Sequence, residues 1–290
     1  MSKFIRRTAE VAEQQRLIEE SAAHGLESVR HVLAVASGKG GVGKTTIAVN
    51  LAVALAAEGL RVGLLDADVY GPSVPLMLGL QQSAVWEDQV LIPADKFGIS
   101  IMSLGILSEA GQAIVWRGPM VSKAIHQLIN QVRWGDLDCL VVDLPPGTGD
   151  PSISVAQHIP DASVLMVTTP QEIALADVRR AIEMFRRMDL NIVGLVENMS
   201  YFMCGHAVEP IEIFGIFGAG GGQKLSEETG LPLLGTIPIE MEIGRAGDAG
   251  IPLMVSQPDS AAGKIFQSIA EVLKADMLAD AEVRKSTTAD

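Results

Sequence analysis

The sequence predicts an α/β fold, a mostly parallel sheet with helices on both faces, and three observations carry that reading. Short apolar runs alternate with longer amphipathic stretches, the pattern of buried parallel strands linked by helices. Val32-Leu33-Ala34-Val35-Ala36 passes through a glycine-rich loop into a helical stretch over 46–57, which Gly59 closes. Two further apolar runs, Arg61-Val62-Gly63-Leu64-Leu65-Asp66 and Cys139-Leu140-Val141-Val142-Asp143, each end in an acid. Open α/β sheets bind ligands outside the carboxyl ends of their strands, so both aspartates stand where chemistry is expected.

The loop after the first strand, Gly38-Lys39-Gly40-Gly41-Val42-Gly43-Lys44-Thr45, fits the phosphate-binding pattern G-x-x-x-x-G-K-[ST] at every fixed position. Glycines let successive backbone N–H groups turn toward phosphate oxygens, and the helix N-terminus adds favourable partial charge. In such a loop Lys44 reaches the β- and γ-phosphates and the Thr45 hydroxyl ligates Mg²⁺. Asp143 has the Walker B position and is expected to hold Mg²⁺ directly or through water.

The other elements follow in order. Residues 1–30 read as a helical segment with weak apolar spacing. Residues 83–107 hold short β-like pieces between glycine and proline breaks and predict an inserted hairpin. Residues 118–132 predict a helix with Val121, Ile125, Leu128, Ile129 and Val132 on one side. Residues 144–150 read as a rigid, glycine-punctuated loop suited to sensing a γ-phosphate. Strands are expected over 163–168, 191–197 and 233–237, and helices over 172–188 and 259–273. The nucleotide-binding domain is read as 31–275 and 276–290 as a polar C-terminal tail, with its last ten or so residues frayed.

Composition narrows the partners. The 290 residues are 48 % hydrophobic, enough for a sizeable core. A net charge of −13 disfavours nucleic acid and anionic membrane as partners. No stretch is long and apolar enough to span a membrane. The two cysteines, Cys139 and Cys204, make no disulfide framework, so a reducing cytoplasm is expected. Cys139 lies inside a predicted strand and reads as core. The glycine run at 218–222 reads as the lead-in to a helix and not as a second nucleotide loop.

Lys39 places a second lysine just after the first glycine, and with it the loop resembles the deviant Walker A loop of the MinD/ParA/Mrp class of P-loop ATPases. In that class the extra lysine crosses a dimer interface to the partner's nucleotide. The resemblance therefore implies a homodimer with ATP between the subunits and a catalytic part for Lys39. Leu65-Asp66-Ala67-Asp68-Val69-Tyr70-Gly71-Pro72-Ser73, Trp116-Arg117-Gly118-Pro119-Met120, Asp143-Leu144-Pro145-Pro146-Gly147-Thr148-Gly149-Asp150 and Glu197-Asn198-Met199-Ser200-Tyr201-Phe202 follow in order. Together these strings resemble the Mrp/ApbC branch, the iron–sulfur cluster carrier ATPases. The resemblance implies that Gly38, Lys39, Gly40, Gly41, Val42, Gly43, Lys44, Thr45 and Thr46 bind the ATP phosphates. It implies that Asp66 and Asp143 organise Mg²⁺, that Asp68 positions the attacking water, and that Asn198 reads the adenine edge beside Pro238.

The cluster site of that branch is a Cys-x-x-Cys after the Ser-Tyr-Phe segment. Here the chain reads Met203-Cys204-Gly205-His206-Ala207, so the first cysteine is present and Ala207 takes the second position. A dimer then presents two thiolates where four are the usual cluster set, with His206 nearby as an imidazole able to bind iron. The expected function is a slow ATP-hydrolysing homodimer that binds iron–sulfur clusters and passes them to apoproteins. One alternative is an ATPase switch that acts through protein partners without a cluster. Another is a positioning ATPase cycling on membrane or DNA, which the acidic run 275–282 disfavours.

Overall fold

The structure, a computed structural model, describes residues 25–69, 71–81, 85–87, 90–106, 118–159, 161–204 and 212–287. The chain opens on β1 (Val29–Ser37), and the glycine loop delivers α1 (Lys44–Ala57), β2 (Val62–Asp66) and the short α2 (Val74–Met77). A hairpin of β3 (Val85–Glu87) and β4 (Val90–Ile92) precedes β5 (Ala94–Lys96), β6 (Ile99–Ser103) and α3 (Gly118–Asn130). Next come β7 (Leu137–Asp143), α4 (Asp150–Gln157), β8 (Ser163–Thr168), α5 (Glu172–Arg187) and β9 (Asn191–Glu197). A second hairpin, β10 (Phe202–Cys204) with β11 (Glu212–Phe214), leads to α6 (Gly221–Thr229) and β12 (Leu233–Thr236). The chain ends with α7 (Met241–Asp248), α8 (Leu253–Ser256) and the long α9 (Ala261–Thr287).

Eight strands form one sheet in the order β12-β9-β8-β1-β7-β2-β6-β5. Every pairing in it is parallel except that of β5 with β6. Alternation along each strand feeds two cores, because successive side chains point to opposite faces. Ala34, Leu65, Val142 and Met166 pack with Ile125, Leu128, Val178 and Phe185 of α3 and α5 on one face. Leu33, Val35, Leu64 and Val141 pack with Ile47, Leu51, Phe266 and Ile269 of α1 and α9 on the other. Helix α1 is buried almost all round, which explains why its sequence is apolar without a polar stripe.

Two expectations meet a different structure, and one helix lies where none was expected. Residues 83–107 are not all insertion: β6 pairs in parallel with β2 and joins the central sheet, leaving only β3–β4 as a separate hairpin. A helix, α4, follows the 144–150 loop, started by Asp150 in its first turn and Pro151 beside it. The last helix runs to Thr287, through the stretch read as a polar tail. Residues 1–24, the Trp116-Arg117 pair, His206 and Ala207 lie outside the described residues. Among the described residues no helix is long and apolar enough to cross a membrane.

Candidate nucleotide-binding site

The carboxyl ends of β1, β2, β6, β7, β8 and β9 meet at one edge of the sheet. Register pairs Asp143 with Val35 and with Asp66, and Asp66 with Ser103. On the other side it pairs Thr168 with Glu197. The glycine loop leaves β1 at this edge. Gly41 and Gly43 hold φ of +80° and +83°, the left-handed region that a side chain resists. A Cβ on Gly38 would stand 2.3 Å from the Asp177 backbone in α5, so only glycine lets the loop pass that helix. The Gly147 N–H donates to the Ser37 carbonyl at 2.9 Å, fastening the loop to residues 144–150. No side chain caps the first turn of α1, which leaves its N–H groups for an anion. The loop therefore fits a nucleotide's phosphates.

The Lys44 Nζ lies 2.6 Å from Asp143 Oδ1, and the Thr45 hydroxyl donates to Asp143 Oδ2 at 2.7 Å. Asp68 Oδ2 stands 3.9 Å from the same ammonium. Asp66 accepts from the Ser103 hydroxyl at 2.9 Å and from the Asp68 and Val74 N–H groups at 3.2 and 3.3 Å. Asp66 and Asp143 are both fully buried. Burial, with the Asp143 charge behind it, lifts the Asp66 carboxyl to about 7 against the pull of Ser103, the Asp68 N–H and Lys44. Burial also raises the Asp143 carboxyl, opposed by Lys44 and Thr45. These oxygens suit a hard cation such as Mg²⁺. Among the described residues no group of three or more His, Cys, Asp or Glu is placed to hold a metal alone. Such a cation would complete its shell with waters and nucleotide oxygens.

A carboxyl raised in the folded state holds its proton more tightly there than in the unfolded chain. Asp66 thus makes nucleotide-free stability fall as pH rises from about 4 to about 7. Asp66→Asn is expected to flatten that fall, as urea titrations at stepped pH would record; equal pH slopes for the two chains would count against it.

The family described as ParA, NUBPL iron-transfer P-loop NTPase, matches residues 28–274. The chain belongs to this family. An iron-sulfur cluster carrier protein of Synechocystis sp. is 46 % identical over 269 residues, covering 91 % of this chain and 75 % of its own length. An Arabidopsis thaliana protein, described as an iron-sulfur protein required for NADH dehydrogenase, mitochondrial, is 50 % identical over 248 residues. It covers 85 % of this chain and 78 % of its own. A nucleotide-binding protein of Archaeoglobus fulgidus, solved in complex with ADP, is similar with a TM-score of 0.71 at 34 % identity. That match covers 86 % of this chain and 95 % of the other.

Within this P-loop NTPase an open cleft of about 410 Å³ abuts Gly43 and Thr46 and is bordered by Asn198, Met199, Phe217 and Pro238. Its size and largely apolar wall suit a nucleotide base. Asn198 also braces the loop: its Nδ2 donates to the Val42 carbonyl at 2.8 Å, and a Cβ on Gly43 would stand 2.2 Å from that nitrogen. Lys39 is half-buried and has no ion-pair partner among the described residues, whereas Lys44 has two. Cys204 ends β10, opposite Glu212 of β11. Cys139 is fully buried with its thiol pushed up to about 12, so it is a core residue. Sequence reasoning overlooked Ser103, although it closes an apolar run as Asp66 does. It also overlooked Phe217, which sits among glycines and carries no periodic signal.

Proposed function

We propose that this P-loop NTPase is a slow ATP hydrolase that works as a homodimer in a reducing cytoplasm and carries iron–sulfur cargo to apoproteins. One observation carries the reading: Cys204 ends β10, which starts three residues after Met199 of the nucleotide cleft. The names of the relatives support it. The ATPase domain is taken as 29–275, because β1 already starts at Val29, two residues before the boundary expected from the sequence; the end of α9 after 275 extends it.

In this reading Gly38 to Thr46 cradle the phosphates through their N–H groups and the Lys44 ammonium. Thr45 and Asp143 would hold Mg²⁺, with Asp66 behind them, and the bound ion would supply neutralisation of the phosphoryl charge. Asp68, at the mouth of the site, orients the attacking water. Lys39 is free to reach the nucleotide of the partner. Asn198 and Pro238 border the base.

Ala207 favours a second reading, a switch that acts through protein contacts, because it removes a thiolate from each subunit. Anaerobic reconstitution with iron and sulfide separates the two. We expect the native chain to bind cluster iron, read as iron per dimer and by Mössbauer spectra. Cys204→Ala is expected to lose it while still binding ATP. A native chain that binds ATP but no cluster would sink the carrier reading and leave the protein-contact switch.

A further inference from the structure

The β10–β11 hairpin hangs from the nucleotide cleft by both of its stems. The entering stem, 198–201, brings Asn198 and Met199 to the cleft wall, and the leaving stem, 215–220, brings Phe217. Neither stem is loose at its base. Glu197, buried at the end of β9, accepts from the Ser200 hydroxyl with one oxygen and from the Gly222 N–H with the other. One carboxylate thus clamps the chain on its way into the hairpin and on its way out. The entering stem is tied further: Ser200 N–H donates to the Ile237 carbonyl at 2.9 Å, and Ile239 N–H to the Tyr201 carbonyl at 2.7 Å. Those bonds flank Pro238, another residue of the cleft wall. Phe217 remains 37 % exposed, an aromatic ring left part-open beside Gly43 and Thr46.

We propose that Phe217 is a positioning residue through which nucleotide in the cleft sets the conformation of the Cys204 hairpin. The nature of the cargo at Cys204 rests on the carrier reading; the coupling does not. With the stems clamped at Glu197, a displacement of Phe217 is not absorbed at the base of the hairpin. It passes outward along β11 to the pair formed by Glu212 and Cys204. A ligand biases two conformations only by contacting them differently, and Phe217 is the part of the leaving stem that a base meets. Linkage requires the reverse effect as well, so occupancy of Cys204 alters nucleotide affinity.

The cysteine content supplies the reporter. The chain has two cysteines and Cys139 is fully buried, so any N-ethylmaleimide taken up by the folded, cluster-free protein reports on Cys204. The alkylation rate is followed by mass spectrometry without nucleotide and at saturating Mg–ADP or Mg–ATPγS. Nucleotide is expected to change the rate by about 5–150-fold, the ordinary span of coupling between two sites. Phe217→Ala, still nucleotide-bound at saturation, is expected to lose that dependence, and Phe217→Tyr to restore it. A full response in Phe217→Ala, or none in the native chain, overturns the proposal. A second arm needs no variant and decides alone if Phe217→Ala does not fold. Amide hydrogen exchange across β10 and β11 of the native chain is expected to change when Mg–ADP saturates the cleft, and unchanged exchange overturns the coupling. Failure of the carrier reading looks different: no iron on reconstitution, with the alkylation response intact.

Discussion

Lys44→Ala is expected to abolish ATP binding and, in the same chain, to destabilise the nucleotide-free protein. The ammonium lies 2.6 Å from Asp143, with the lysine 6 % and the aspartate 0 % exposed. Removing one partner of a buried ion pair typically costs about 3–5 kcal/mol, because the other charge is left without compensation. Here the cost is aggravated: Asp66 lies beside Asp143 in register, also buried, and the cation shared across this acidic end of the sheet is gone. Adding Asp143→Asn should therefore recover much of the stability and none of the ATP binding. Urea unfolding beside calorimetric ATP titration tests both parts. A single variant as stable as the native chain would show that Asp143 takes up a proton at no cost.

Lys39→Ala is expected to lower ATP turnover by about 10³–10⁵-fold, the range found when a charge-stabilising cation is removed from phosphoryl transfer. Nucleotide binding should change little, because Lys44 and the backbone of the loop remain. The structure separates the two lysines. Lys44 is engaged by Asp143 and Asp68, while Lys39 has no ion-pair partner among the described residues. Mixing chains tests whether Lys39 acts across subunits. Lys39→Ala and Asp68→Ala chains, each inactive alone, should regain turnover together, since a mixed dimer then holds one complete site. Absence of recovery in a verified mixed dimer would confine Lys39 to its own subunit.

Most of the central sheet was legible because its signals are local. The G-x-x-x-x-G-K-[ST] spacing, the two acids closing apolar runs and the helical periodicity of residues 172–187 each lie within one short window. What escaped was non-local or masked by a stronger signal. Ile99–Ser103 does form a hairpin, with β5, but the breaks at Pro93 and Gly98 hid that it also belongs to the central sheet. Its parallel partner, β2, lies more than thirty residues back in sequence. The helix at Asp150–Gln157 carries its own start signal in Asp150-Pro151, but sequence reasoning stopped at the glycine-punctuated loop 144–150 and assigned no element to 151–157. The acidic stretch after residue 275 looked like a tail because it is polar, although its alanines and long charged side chains are good helix formers. At the site, the pairing of Ser103 with Asp66 could be inferred only once β6 was known to lie beside β2. The Glu197 clamp joins residues 25 apart through a backbone N–H, which no side-chain pattern announces.

The central sheet ends in β5, three residues long and bearing Asp95 and Lys96, and in β12, four residues long and including Gly235. Edges this short, one of them charged, offer an incoming strand few N–H and C=O groups. Concentrated solutions of the protein are thereby protected from growing a continuous sheet across molecules. Some exposed apolar surface lies at the cleft, where Leu76, 70 % exposed, and Phe217 line the wall. Exposed apolar surface at the cleft is thus surface that a bound small molecule can cover, whereas the sheet edges offer little at any time.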